Sequence, residues 1–226
     1  DLSDRGQQPI WSADRRTAIP YNGEMYNFRE ERARLEKSGY RFRTTTDTEV
    51  VLHAYDRFGE ACVDRLRGMF AFAIWDERER RCVLARDRFG IKPLYYSLRH
   101  DGLVFASELR ALVASGLVPP AVDARAAYEY FRAGSVQEPR TLLTTVKCLE
   151  AGHVASWRAG HFTARRYWEL AFNPSVPVAD AAAATRDALL DSVTHHFVSD
   201  VPVGIFLSGG VDSTALLALS HHPGRR

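Results

Sequence analysis

The sequence predicts an α+β domain of antiparallel strands with flanking helices over residues 1–171. A linker over 172–179 joins it to the opening of an α/β domain over 180–226. Three observations carry this reading. Short apolar runs separated by polar turns recur through the first part of the chain, the pattern of successive hairpins. Phe172-Asn173-Pro174-Ser175-Val176-Pro177 interrupts all periodicity with prolines and a polar cluster. Finally, the apolar run Val201–Leu207 reads as a buried parallel strand, broken by Ser208-Gly209-Gly210 and followed by a helix from Thr214 to Leu219.

The elements follow in order. Ala18–Tyr21 looks like the end of a strand running into Asn22-Gly23-Glu24. Asn27-Phe28-Arg29-Glu30 has the form of a cap with a reciprocal Glu, opening a helix that stops at Gly39. Thr46-Asp47-Thr48-Glu49 caps a second helix, with Val50, Val51, Ala54, Tyr55 and Phe58 on one face and Gly59 at its end. Met69–Trp75 and Arg81–Arg86 form a hairpin across the polar turn Asp76-Glu77-Arg78-Glu79. Tyr95–Leu98 and Leu103–Ser107 pair around His100-Asp101-Gly102. Short helices follow near Glu108–Ala114 and Asp123–Arg132. Val154–Trp157 and His161–Phe162 make a last hairpin, and a long helix runs from Asp180 to about Val198.

The bulk properties narrow the function classes. With 46% apolar and 26% charged residues among 226, and a net charge of +2, the composition is that of an ordinary soluble protein. Neither nucleic acid nor a membrane is an expected partner. The three cysteines, Cys62, Cys82 and Cys148, are widely spaced and form no CxxC pair or zinc pattern, which fits a reducing, cytoplasmic setting. His221-His222 reads as a solvated tail rather than a metal site.

The turn after Val201–Leu207 has the chemistry of a phosphate loop. Glycines let backbone N–H groups approach an oxyanion, and the following helix turns its positive end toward it. Ser208 and Ser213 add hydroxyl donors. Asp212 cannot favour a phosphate by charge and is expected to act through a bound cation, Mg2+. No lysine sits in the turn, so it is not the GxxxxGK[ST] loop. Ser208-Gly209-Gly210-Val211-Asp212-Ser213 resembles the pyrophosphate loop of the ATP pyrophosphatases. The resemblance makes Leu207 through Ser213 the ATP- and pyrophosphate-binding residues.

A second resemblance covers most of the chain. Tyr21-Asn22-Gly23-Glu24-Met25-Tyr26-Asn27, Thr44-Thr45-Thr46-Asp47-Thr48-Glu49, Arg67-Gly68-Met69-Phe70-Ala71-Phe72-Ala73-Ile74-Trp75-Asp76, Arg86-Asp87-Arg88-Phe89-Gly90-Ile91-Lys92-Pro93 and Phe105-Ala106-Ser107-Glu108 occur in that order. Together they resemble the class II glutamine amidotransferase domain of glutamine-hydrolysing asparagine synthetases. That domain has the N-terminal-nucleophile-hydrolase fold. The resemblance implies an oxyanion hole from the Asn22 side chain and the Gly23 backbone N–H, and carboxylates at Glu24 and Asp47 that hold the α-ammonium of glutamine. On local sequence alone Asn22-Gly23 also suits a type I′ turn, and Asp47 a first-turn helix carboxylate. Arg86–Pro93 reads as a structural loop, its charged groups pairing within it and Gly90 and Pro93 shaping the turn.

By the same resemblance the whole enzyme would hydrolyse glutamine and use the ammonia to amidate aspartate through a β-aspartyl adenylate. Its partners are glutamine, aspartate and ATP, with a homodimer as the candidate assembly. The family's nucleophile is a cysteine at the mature N-terminus, whereas this sequence opens on Asp1 and its methionines are Met25 and Met69. The expectation is a chain truncated at both ends and inactive as it stands. The alternatives are a non-catalytic interaction module, and a related synthetase with a different acceptor.

Overall fold

A computed structural model describes residues 6–172, 178–199 and 201–220. The chain divides into two compact units, one running to Glu169 and one from Leu170.

The first unit contains two antiparallel sheets. In the larger, β1 (Ile10–Trp11), β2 (Thr17–Ile19), β4 (Gly68–Asp76), β5 (Arg81–Arg86), β9 (His153–Arg158) and β10 (His161–Arg166) lie in that order, and β3 (Tyr21–Met25) also pairs with β4. The smaller sheet runs β7 (Gly102–Ala106), β6 (Tyr95–Arg99), β8 (Lys147–Cys148). The hairpins β4–β5, β6–β7 and β9–β10 lie where the sequence predicts them.

The period of two along β4 builds the layers. Phe70, Phe72 and Ile74 point to one face, where they join Leu35 from α1 (Phe28–Lys37) and Val50, Val51 and Ala54 from α2 (Asp47–Phe58). Each such ring, buried to about 1% exposure, contributes roughly 1.5–3 kcal/mol. Ala71 and Ala73 point the other way. There they meet Leu84, Leu94, Tyr96 and Leu149 in a second core between the sheets. Small residues at these positions let the two sheets approach. A third cluster, Leu112, Val118 and Val146, covers the far side of the smaller sheet together with α3 (Leu109–Ala114).

Two helices, α2 and α4 (Ala124–Ala133), have side-chain N-caps. The Thr46 hydroxyl accepts from the Glu49 N–H at 3.2 Å and opens α2, and Gly59 closes it at φ 59°. Asp123 caps α4 through the N–H groups of Arg125 and Ala126. Asn27, read from sequence as a capping box with Glu30, makes no side-chain cap. Its amide instead donates to the Arg65 carbonyl and accepts from the Arg67 N–H, both at 2.9 Å. The chain entering β4 offers this side chain two backbone partners at once.

The second unit holds α5 (Val178–His196) and α6 (Val211–Ser220). The strand predicted over Val201–Leu207 is absent. Those residues form no regular element, with Val201 and Leu207 more than half exposed and Phe206 fully so. A strand exists through its neighbour's N–H and C=O groups, and no strand of the described residues lies beside this one. Most of the predicted linker, residues 173–177, and the His221-His222 pair lie outside the described residues.

Candidate functional site

The Asn22-Gly23 pair lies inside β3, not in a type I′ turn. Its register sets Tyr21 against Phe72, Gly23 against Phe70 and Met25 against Gly68. Along an antiparallel strand, backbone groups point alternately toward and away from the neighbour. Here Pro20 accepts from the Ala73 N–H and Tyr26 donates to the Arg67 carbonyl, so the even-numbered residues face β4. The odd ones face away. Tyr21 N–H donates to Gln8 Oε1 at 2.6 Å, and Met25 N–H donates to Asp47 Oδ2 at 2.8 Å. The Gly23 N–H therefore points from the edge of β3 that pairs with no strand among the described residues, between those two contacts. At a strand rise of ~3.4 Å per residue it stands about 7 Å from the Met25 N–H.

Only glycine fits there. A Cβ on Gly23 would stand 2.7 Å from Phe70 Cα and closer still to the Met69 carbonyl oxygen. Gly68 is equally confined by the Glu24 carbonyl. The paired glycines let β3 and β4 close up at the point where the edge presents its N–H.

The Asn22 side chain enters a cavity of about 230 Å³ between the sheets, lined by Gln8, Ala71, Leu94, Phe105 and Ser107 among others. Its Nδ2 donates to Ser107 Oγ at 3.2 Å, which fixes the amide. A carboxamide has two such hydrogens, so one remains for a ligand. Glu24, two residues on, shares that face of the strand.

Asp47 opens α2, and its bond to Met25 ties helix to strand. Burial raises its carboxyl above the ordinary range, opposed by hydrogen bonds from the backbone of Met25 and Thr48. The Tyr21 phenol is pushed well above its usual value, first by burial and then by the charges of Asp47 and Glu24. Asp47 and Glu24 thus both act on the Tyr21 phenol.

The approach to Asp47 is braced by Glu49, which is 1% exposed. Its carboxylate accepts from Arg43 N–H at 2.9 Å, Thr44 N–H at 2.7 Å and Thr44 Oγ1 at 2.6 Å, with His53 Nε2 at 3.7 Å. Burial pushes this carboxyl up, but the nearby His53 ring and the hydrogen bonds from Thr44 and Arg43 outweigh it and hold it at about 2.

Opposite Gly23, the loop after β5 supports β4. Asp87 is 1% exposed and collects four backbone N–H groups: Phe89 and Ile91 on Oδ1, Phe70 and Lys92 on Oδ2, at 3.0–3.2 Å. The buried Arg86 guanidinium donates to the carbonyls of Lys92, Gly90 and Leu149 and to Glu138. The segment is structural, as its sequence suggests. Its charges, however, bind backbone groups and Glu138 rather than one another.

All three cysteines are buried and free. Burial pushes the thiols of Cys62 and Cys82 up to about 12 and that of Cys148 to about 11. Cys82 lines a neighbouring apolar cavity of about 450 Å³ with Trp75, Leu103, Phe105 and Trp157. None of the three lines the Asn22 cavity.

In the second unit, Ser208 Oγ and Ser213 Oγ stand 3.1 Å apart, and Gly210 accepts from Thr214 Oγ1 at 2.8 Å. Leu207, Ser208, Gly209, Gly210, Val211 and Asp212 are exposed at the N-terminus of α6. The left-handed residue is Gly209, at φ 78°. A Cβ on Gly210 would meet only Ser208 Oγ, at 3.4 Å. The donors suit a phosphate. No group of three or more His, Cys, Asp or Glu gathers to hold a metal among the described residues. A magnesium ion that keeps its waters and leans on phosphate oxygens needs only one carboxylate, and Asp212 can supply it.

Gln8 and Ser107 received no role from sequence. A period-two reading continued from Tyr21 through Met25 would have placed Asn22 on the inter-sheet face. Nothing local marks Gln8.

Two sheets packed face to face with helices outside, and an edge strand that offers an N–H beside an amide, make up the first unit, and comparison with known proteins places it in a family. A model described as "Glutamine amidotransferase domain" matches residues 1–168, and the chain belongs to that family. A second, described as "Asparagine synthase", matches residues 184–224. The curated relatives include asparagine synthetase [glutamine-hydrolyzing] 1 of Bacillus subtilis, 42% identical over 225 residues, 97% of this chain and 35% of that protein. A putative asparagine synthetase [glutamine-hydrolyzing] of Mycobacterium tuberculosis is 40% identical over 99% of this chain and 36% of its own length. The chain thus spans about a third of these relatives. Among solved structures, glutamine phosphoribosylpyrophosphate amidotransferase from B. subtilis shares the fold, with a TM-score of 0.53 at 18% identity over 97% of this chain and 48% of that one. The N-terminal-nucleophile-hydrolase-like fold read from the motifs is the one observed.

Proposed function

We propose that this chain provides the glutamine site of a glutamine-hydrolysing asparagine synthetase, with the opening of its ATP-dependent unit. The observation that carries the reading is the Gly23 N–H, on the outer edge of β3 next to Asn22 and two residues from the Met25 N–H that Asp47 accepts. A glutamine side chain enters the inter-sheet cavity with its amide oxygen on Gly23 N–H and Asn22 Nδ2. Two fixed donors favour the oxyanion that develops there when the amide is attacked. The α-ammonium is held by Asp47 and Glu24. Binding raises the cost of protonating Asp47, so its carboxyl falls back toward the usual range when the ammonium arrives.

The thiols of this sequence do not supply the nucleophile, because none reaches the cavity. The residues of this site bind, orient and polarise the amide. In the second unit, Leu207 through Ser213 would hold the pyrophosphate of ATP, with Mg2+ on Asp212. ATP supplies the adenylating chemistry, in which aspartate becomes the β-aspartyl adenylate that ammonia then displaces. The acceptor is the part of the reading that belongs to the rest of the enzyme.

Calorimetric titration with L-glutamine tests the site. The parent chain should bind, and Asn22→Ala and Asp47→Asn should each weaken binding at least tenfold, or about 1.4 kcal/mol. Binding that both variants leave unchanged would refute the assignment.

A further inference from the structure

We propose that Gln8 is a positioning residue for the oxyanion donor of β3. Three N–H groups face the open edge of that strand. The outer two are held, Tyr21 by Gln8 Oε1 and Met25 by Asp47 Oδ2. The middle one, Gly23, carries no side chain to brace it, and a Cβ there is forbidden by Met69 and Phe70. The pairing of Asn22 and Glu24 with β4 holds its peptide on the inner side, and the contacts on either side hold the strand at the outer edge. Gln8 is one of them. It precedes Pro9 and β1, whose Ile10 is buried and registered against Ile19, so the backbone beneath the carboxamide is anchored in the sheet.

The residue type fits the task. A carboxamide oxygen accepts from Tyr21 N–H without adding charge, and Gln8 also lines the cavity that holds Asn22. A carboxylate in its place would accept equally well but set a negative charge beside the place where negative charge develops. An aliphatic side chain would leave Tyr21 N–H without its partner and the strand edge free to move.

This inference rests on Gly23 N–H being the oxyanion donor, but the clamp can be measured without a ligand. The probes are backbone 15N order parameters in the 226-residue chain, for the parent, Gln8→Met and Gln8→Glu. Methionine keeps the length and removes the acceptor. The parent should show about 0.85 at Asn22, Gly23 and Met25, and Gln8→Met should lower Asn22 and Gly23 to about 0.6 while Met25 stays rigid. Gln8→Glu should restore rigidity at all three, yet weaken L-glutamine binding about tenfold through its charge. Rigid Asn22 and Gly23 in Gln8→Met would overturn the proposal. So would loss of rigidity at Met25, or failure of Gln8→Met to fold, because Gln8 would then serve the fold as a whole. A clamp that behaves as described in a chain that binds no glutamine would leave Gln8 in place and overturn the assignment of the glutamine site.

Discussion

Replacing Asp87 with Asn is the most informative perturbation of the scaffold, because it removes so little matter. The carboxylate is buried and each oxygen accepts two backbone N–H groups, Phe89 and Ile91 on one and Phe70 and Lys92 on the other. Asparagine keeps one acceptor oxygen and presents an NH2 group where the other stood. Two backbone N–H groups then face two more, so two charge-assisted bonds are lost and the remaining two become neutral. At roughly 1.5–3 kcal/mol for each bond to a charged group, the loss is about 3–6 kcal/mol. Against a total of about 5–15 kcal/mol, that is a large share. At about 2–4 °C per kcal/mol for a domain of this size, the melting temperature should fall by about 6–24 °C. The damage is not confined to the loop. The Asp87 carboxylate accepts from the Phe70 N–H and the Asp87 N–H donates to the Phe70 carbonyl at 2.8 Å, and Phe70 lies opposite Gly23. Thermal and urea unfolding followed by circular dichroism would give the number. A melting temperature within about 2 °C of the parent would show that solvent or a rearranged loop replaces these bonds, and the argument from four convergent donors would fail.

Three further outcomes follow from the same geometry. The Glu49 carboxyl is held at about 2, below its unfolded value of about 4.3. A group depressed by folding stabilises above its unfolded pKa, so this contribution should be intact at pH 5 and fade as pH falls from about 4.3 toward 2. Urea midpoints of the parent should drop across that window more steeply than those of Glu49→Gln, and parallel curves would contradict the assignment. Gly23→Ala should destabilise the first unit by about 3 kcal/mol or more, since the new methyl meets backbone on β4; a variant as stable as the parent would show that β3 can shift freely. The thiols of Cys62, Cys82 and Cys148 should resist a disulfide reagent at pH 8 in the folded chain and all react in denaturant. Rapid reaction of any one while folded would place it in an environment unlike the one described.

The first unit was legible where side-chain period or a cap decides local structure. Phe70, Phe72 and Ile74 alternating with Ala71 and Ala73 announced a strand with two different faces, and Thr46 with Glu49 announced a helix start. The motif residues Asn22, Gly23, Glu24 and Asp47 could be named from their resemblance, but not their arrangement. That depends on which edge of β3 is open, a property of sheet order. Asn27 shows the limit of local reading: its cap was plausible until the chain entering β4 offered two backbone partners instead. The run Val201–Leu207 has the composition of a buried strand and none of the hydrogen bonds, because pairing is not encoded in the strand that seeks it. The contacts of Gln8 with Tyr21 and of Ser107 with Asn22 were not legible for the same reason. Each acts on a residue distant in sequence, across a contact that only the folded sheets create.

The account stands on the open edge of β3 as the place where glutamine binds. Titrating uniformly 15N-labelled chain with L-glutamine tests it directly, with backbone and side-chain amide shifts as the readout. The Gly23 backbone N–H and the Asn22 side-chain NH2 should move most, with Met25 following through Asp47, and L-glutamate should reproduce the pattern with weaker affinity. Saturable shifts confined to the apolar cavity around Trp75 and Trp157, with Gly23 and Asn22 unmoved, would contradict it.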